Sequence, residues 1–254
     1  MLKRGRPAAV RVQAHAPTSR AGRTYERFNI HQRVQHFLLA FSFLGLVATG
    51  LPMRFSELAI SQRFVALLSG VTVVGNIHRA LGVMMIAAAV YHIGYLIVMY
   101  RRGYRGTPAL FSRTDWPEFI ADVKYCLGLV RQRPRFARYS WYEKFDYFGA
   151  AVGVLLMVGT GLIMWFPELV TRLLPGWVVT TAVIVHDYEA CLALLAIFIG
   201  HFYWVHLHPD VYPMSMVWLT GRLSEEEMAR HHPRELAEWQ NRERPVGGND
   251  EVRR

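Results

Sequence analysis

The chain has 254 residues, 52% of them hydrophobic and 19% charged, with a formal net charge of +10. The charges stand in blocks between long apolar runs, which excludes an ordinary soluble domain. The basic residues flank apolar segments instead of striping a polar surface, so the positive excess is read as membrane topology and not as nucleic-acid binding.

Residues 1–30 are rich in arginine, but no short apolar region with a small-residue cleavage site follows, so they are read as a basic cytoplasmic extension. A 30 Å hydrocarbon layer needs roughly 20 residues of helix, and four stretches supply them, at about 34–53, 76–100, 145–166 and 180–206. Tyr100, Trp141, Tyr142, Trp165, Trp177, Tyr203 and Trp204 cluster near their ends, as interfacial aromatics do. Two connections are expected to carry surface helices: Glu57 to Val74, and Asp115 to Val130, which opens with the helix-start signal Asp-Trp-Pro-Glu. Residues 207–254 form a polar tail. The expected architecture is an all-α transmembrane four-helix bundle spanning 31–206, and no internal repeat is read from the sequence.

Orientation follows from the basic residues. Eight lie in 1–35, ten in 100–144 and seven after His206, whereas 54–75 and 167–179 hold only Arg54, Arg63 and Arg172. The positive-inside rule then puts both termini and the central loop in the cytoplasm, in a bacterial inner membrane.

Two spans carry paired histidines, His78 and His92 on the second, His186 and His201 on the fourth. Spacings of 14 and 15 residues return to within roughly 40° and 60° of the same helix face, about 21–22 Å along the axis. The two spans run in the same direction, so His78 is level with His186 near the outer surface, and His92 with His201 near the inner one. Two facing imidazoles can supply both axial ligands of a haem iron. A lone histidine in a span is commonly a satisfied polar group, but four at matched depths are hard to obtain that way. His36, at the inner end of the first span, has the same depth as His92 and His201, so the inner pair stays open, as does a third haem using His206 and His208. Cys126 and Cys191 are far apart, and no Cys-x-x-Cys-His or four-cysteine set is present, so covalent haem and iron–sulfur clusters are excluded. Gly45, Gly50, Gly82, Gly94, Gly149, Gly153, Gly159 and Gly161 suit either a macrocycle or close helix packing. Arg79 is a candidate partner for a haem propionate or a snorkelling interfacial arginine.

The chain resembles the cytochrome b (gamma) subunit of membrane-bound formate dehydrogenase, within the group that includes the cytochromes b of thiosulfate reductase and nickel–iron hydrogenase. The likeness lies in Arg33-Val-Gln-His36, Gly75-Asn-Ile-His78 with Gly82, Lys144-Phe-Asp-Tyr, Thr160-Gly-Leu-Ile-Met-Trp165, Ile184-Val-His186, His201-Phe-Tyr and His231-His232-Pro233-Arg234. The resemblance implies two b haems passing electrons from a periplasmic iron–sulfur or multihaem partner to quinone near the cytoplasmic face. It implies His78 and His186 for the outer haem, and His36 and His201 for the inner. His92, which a member of that family lacks, keeps a rival inner pair alive. It also implies a quinone site where the central loop meets the third span, at Ser140 and Glu143. Reducing a quinone takes protons, for which Glu143 and Asp210 are candidate carriers. With no catalytic metal motif of its own, the chain would leave substrate chemistry to a partner subunit. Two rivals are a metal-ion transporter using the histidines as transit ligands and an anchor without a cofactor; a visible spectrum separates both from a cytochrome.

Overall fold

The computed structural model describes residues 22–103, 109, 111–132, 134–209 and 211–243. Four of its helices are long and apolar enough to cross a membrane: α1 (Ile30–Arg54), α3 (Val71–Arg101), α5 (Trp141–Trp165), and α7 (Trp177–Leu195), which continues as π-helix through Ala196–His201 and Tyr203–Leu207. Backbone polar groups in lipid must be satisfied within the segment, and a helix does so. The expected surface helices are present as α2 (Ala59–Leu67) and α4 (Asp115–Cys126), and α6 (Pro167–Leu173) joins α5 to α7.

Each long helix begins or ends where local chemistry dictates. Asn29 caps α1, five residues before the apolar run, through a capping box with Gln32. Ser140 starts α5 the same way with Glu143. At the first turn of α5, Lys144 reaches Asp115 of α4 at 2.7 Å, both side chains about 5% exposed, and pins that surface helix to the bundle. Burial alone would raise the Asp115 carboxyl, but hydrogen bonds from Lys144 and Ser112 outweigh it and hold the group below the usual carboxylate range.

The helices pack as two hairpins, α1 on α3 and α5 on α7, with α3–α5 and α1–α7 contacts closing the ring. The hairpins are repeats of one unit. Val47-Ala-Thr-Gly-Leu-Pro-Met-Arg-Phe55 and Val158-Gly-Thr-Gly-Leu-Ile-Met-Trp-Phe166 share six of nine positions, namely valine, threonine, glycine, leucine, methionine and phenylalanine at matching places. Both stretches end their helix at the phenylalanine, with ψ 50° at Phe55 and 53° at Phe166, and each leads through a short helix into the next span. Hydropathy alone hid this kinship, because apolar residues interchange freely against lipid while the threonine and glycine do not.

At one end of the bundle, described residues of the N-terminal extension and of the polar tail pack on each other. Strand β1 (Thr24–Glu26) pairs antiparallel with β2 (Arg222–Ser224), Tyr25 opposite Leu223. Between β1 and β2 the chain runs through α1 to α7 and then α8 (Val217–Thr220); after β2 come α9 (Glu225–His231) and α10 (Pro233–Glu243). Tyr25, Leu223, Met228 and Leu236 form a buried apolar cluster, flanked by Val217 and Trp239. Gly221, with φ 75°, accepts hydrogen bonds from the Arg27 and Phe28 amides at 2.8 and 3.1 Å; a Cβ there would strike the Phe28 carbonyl. Arg27, 3% exposed, joins Glu235 and Glu143, and Arg138 reaches Glu235 at 2.6 Å. This cap therefore ties the chain before α1, the loop before α5 and the tail into one unit.

Candidate functional site

At the opposite end of the bundle from this cap, α3 and α7 bring His78 and His186 together, ring centroids 6.4 Å apart and ring planes at 66°. Thr49 of α1 lies behind His78, its Oγ1 2.8 Å from Nδ1; Thr160 of α5 lies behind His186 at 2.9 Å. Each hydroxyl sends its one proton back to its own helix, Thr49 to the Gly45 carbonyl at 2.8 Å and Thr160 to that of Leu156 at 2.6 Å. The threonine oxygen is then an acceptor, and Nδ1 carries the hydrogen. That leaves Nε2 of both rings for a ligand. The next residue on each helix is a glycine: a Cβ on Gly50 would stand 3.1 Å from His78 Cε1, and one on Gly161 3.4 Å from His186 Cε1. The two imidazoles are thus seated in equivalent threonine–glycine notches. Around them, Arg54 pairs with Asp187 at 2.7 Å, and the exposed Arg79 lies over the Trp165 ring at 5.9 Å and donates to Asn76.

At the other end, His36 of α1 faces His201 of the π-helical segment, centroids 6.3 Å apart. Its surroundings share nothing with the first pair. Asp146 lies 3.6 Å from His201 Nδ1, a charge contact too long for a hydrogen bond. Trp218, brought in by the tail on α8, lies 6.0 Å from the His36 ring. His92 belongs to neither pair: Nδ1 meets Gln35 Oε1 at 2.9 Å and Nε2 meets the Tyr147 hydroxyl at 2.8 Å. Both of its ring nitrogens have protein partners.

Ser140 and Glu143 lie in the cap. Ser140 is fully buried and donates to Glu143 Oε2 at 2.7 Å, while Glu143 also faces Arg27 at 3.4 Å. Beside them His232, 6% exposed and bonded to the Ala137 carbonyl, is lowered to about 4 by burial and by the Arg27 charge, against the opposing pull of Glu143 and Glu235. His206 stacks on Phe202 and His208 on Trp204, 4.4 and 4.8 Å between centroids. Asp210 lies outside the described residues.

Facing imidazoles test well against haem. With imidazole nitrogen about 2 Å from a metal, a ring centroid would stand roughly 3.1 Å from it, so two histidines holding one iron between them would have centroids about 6.2 Å apart. The observed 6.4 and 6.3 Å match that spacing. Glycine clearance and a neutral hydroxyl behind each far-end imidazole suit a bis-histidine iron porphyrin, and a helix bundle holding such rings is the architecture of a membrane cytochrome b.

The chain belongs to the prokaryotic cytochrome b561 family, whose profile matches residues 27–217. It is also similar to the protein described as formate dehydrogenase, cytochrome b556(fdo) subunit, of Escherichia coli strain K12, at 24% identity over 218 residues, covering 83% of this chain and 91% of that one. The proteins of that description from the O6:H1 and O157:H7 strains match with the same figures. The protein is accordingly a bacterial membrane cytochrome b in electron transfer, and the family implies haem b.

The residues that sequence reasoning missed are Thr49 and Thr160. The repeated Val-x-Thr-Gly-Leu-x-Met-x-Phe would have found them.

Proposed function

We propose that the protein is a di-haem cytochrome b that relays electrons between a periplasmic redox subunit and the quinone pool of the inner membrane. One observation carries the reading: two imidazole pairs, at opposite ends of one helix ring, each have the centroid separation that axial ligation demands. His78 and His186 are the outer ligands and His36 and His201 the inner ones. His92 orients Gln35 and Tyr147 instead, since ligation would break a hydrogen bond already made.

Each bound haem supplies a one-electron ferric–ferrous couple. The chain's part is to set it in place: α1, α3 and α7 hold the imidazoles at two depths, and a spacing of 15 residues from His186 to His201 separates those depths by about 22 Å. The basic loops support a cytoplasmic placement of the end bearing the cap, so the Thr-Gly notches lie toward the periplasm. Likeness to a formate dehydrogenase subunit supports membership of an oxidoreductase complex whose substrate chemistry lies in another chain. The same likeness supports quinone reduction at the inner end. There Ser140 and Glu143 lie within the cap, beside Arg27.

The test is haem stoichiometry and the visible spectrum of the purified protein. Two b haems per chain are expected, falling to one in His186→Ala and in His36→Ala and staying at two in His92→Ala. Retention of both haems in His186→Ala and His36→Ala overturns the reading.

A further inference from the structure

We infer that Thr49 and Thr160 are positioning residues that set the reduction potential of the outer haem by acting as neutral hydrogen-bond acceptors for its two ligand imidazoles. The inference rests on the assignment of His78 and His186 as ligands.

Both threonines are nearly inaccessible, 4% and 9% exposed, although they lie in spans whose other residues mostly face outward. A buried threonine in a helix ordinarily satisfies its hydroxyl by donating to the carbonyl four residues back, and both do. That bond consumes the only proton. What remains on Oγ1 is lone-pair capacity, and in both hairpins a histidine Nδ1 sits on it, at 2.8 and 2.9 Å. The occurrence of the same triad of helix carbonyl, threonine and histidine in two sequence-related hairpins makes it a built feature of the site.

The physical consequence follows from ligand basicity. A metal-bound histidine that donates Nδ1–H to an acceptor is a better electron donor, and it is fixed in tautomer and ring rotation. A better donor favours the ferric state. The acceptor here is uncharged and already polarised by donating to the backbone, so its pull exceeds that of a hydroxyl free to rotate but falls short of a carboxylate's. Among the described residues no hydroxyl stands behind either imidazole of the inner pair; the Asp146 carboxylate lies 3.6 Å from His201 Nδ1 instead.

The experiment is a potentiometric titration of the purified full-length protein carrying Thr49→Val, Thr160→Val, both, or the corresponding serines. The spectral component missing from His186→Ala identifies the outer haem. Valine keeps the shape and removes the acceptor. Each valine is expected to shift that component's reduction equilibrium several-fold toward the ferrous form, approaching tenfold, or about 59 mV, in the double variant. Serine should restore the wild-type midpoint, and the inner component should not move. Unchanged midpoints in valine variants that retain the haem overturn the inference. If a valine variant loses the haem, serine decides: restored incorporation supports the role of the hydroxyl, and continued loss overturns it. Failure of the ligand assignment is distinguishable, because His186→Ala would then keep both components.

Discussion

The two histidine pairs have nearly the same separation and opposite construction. The outer pair is symmetrical: related hairpins each contribute one imidazole, one threonine behind it and one glycine beside it. The inner pair is assembled from unlike parts, the first turns of α1, a π-helical stretch of α7, an aspartate from α5 and a tryptophan from the tail. π-Helical turns widen a helix and re-aim its side chains, and they recur at functional sites. A ligand geometry can thus be reached by repeating a unit or by convergence of unrelated elements, and the second route depends on parts outside the membrane.

Removing a ligand should break the comparison most completely. His78→Ala abolishes the outer haem and spares the inner, and His201→Ala does the reverse, read by haem-to-protein ratio. Next come the notches. Gly50→Ala puts a methyl 3.1 Å from His78 Cε1, whereas Gly161→Ala puts one 3.4 Å from His186 Cε1, the edge of ordinary contact, so outer-haem occupancy should fall in the first and change little in the second. Crowding of this kind typically costs about 1–3 kcal/mol. Equal occupancy in the two variants would deny that these glycines set the ring positions.

Acid should distinguish the ends as well. His232 is lowered to about 4 against an ordinary 6.5 by burial first and the Arg27 charge second. The opened cap therefore takes up a proton more readily than the folded one. Cap stability should fall as pH drops from about 6.5 to about 4, by up to about 3 kcal/mol, with no further loss from this group below that. Hydrogen exchange of residues 222–236 should quicken over that window while the His186 region stays protected. Smallest is Asp146→Asn, which removes a charge 3.6 Å from His201 Nδ1. The inner midpoint should rise by no more than about 59 mV, within a tenfold change, and the outer should stay put.

Span positions, surface helices and the histidine-rich ends were legible because each is a local property of hydropathy, helix rise and end signals. The pairing of His36, and not His92, with His201 was not. Both are at the right depth, but depth is a coordinate along one helix, whereas ligation depends on rotation and on what the neighbouring helix presents. Gln35 and Tyr147 face His92, and His201 faces His36. Asn29 and Ser140 were also hidden as helix starts, because hydropathy marks where lipid contact begins and capping marks where hydrogen bonding begins.

The sequence by itself determined an all-α membrane bundle, its four spans and the set of histidines placed near their ends, since hydrocarbon thickness and backbone hydrogen bonding leave a long apolar segment no other regular form. Tertiary structure alone decided which imidazoles meet, which hydroxyls stand behind them and how residues 24–26 find residues 222–224. Those contacts join parts of the chain from 26 to about 200 residues apart, and only packing in three dimensions selects among them.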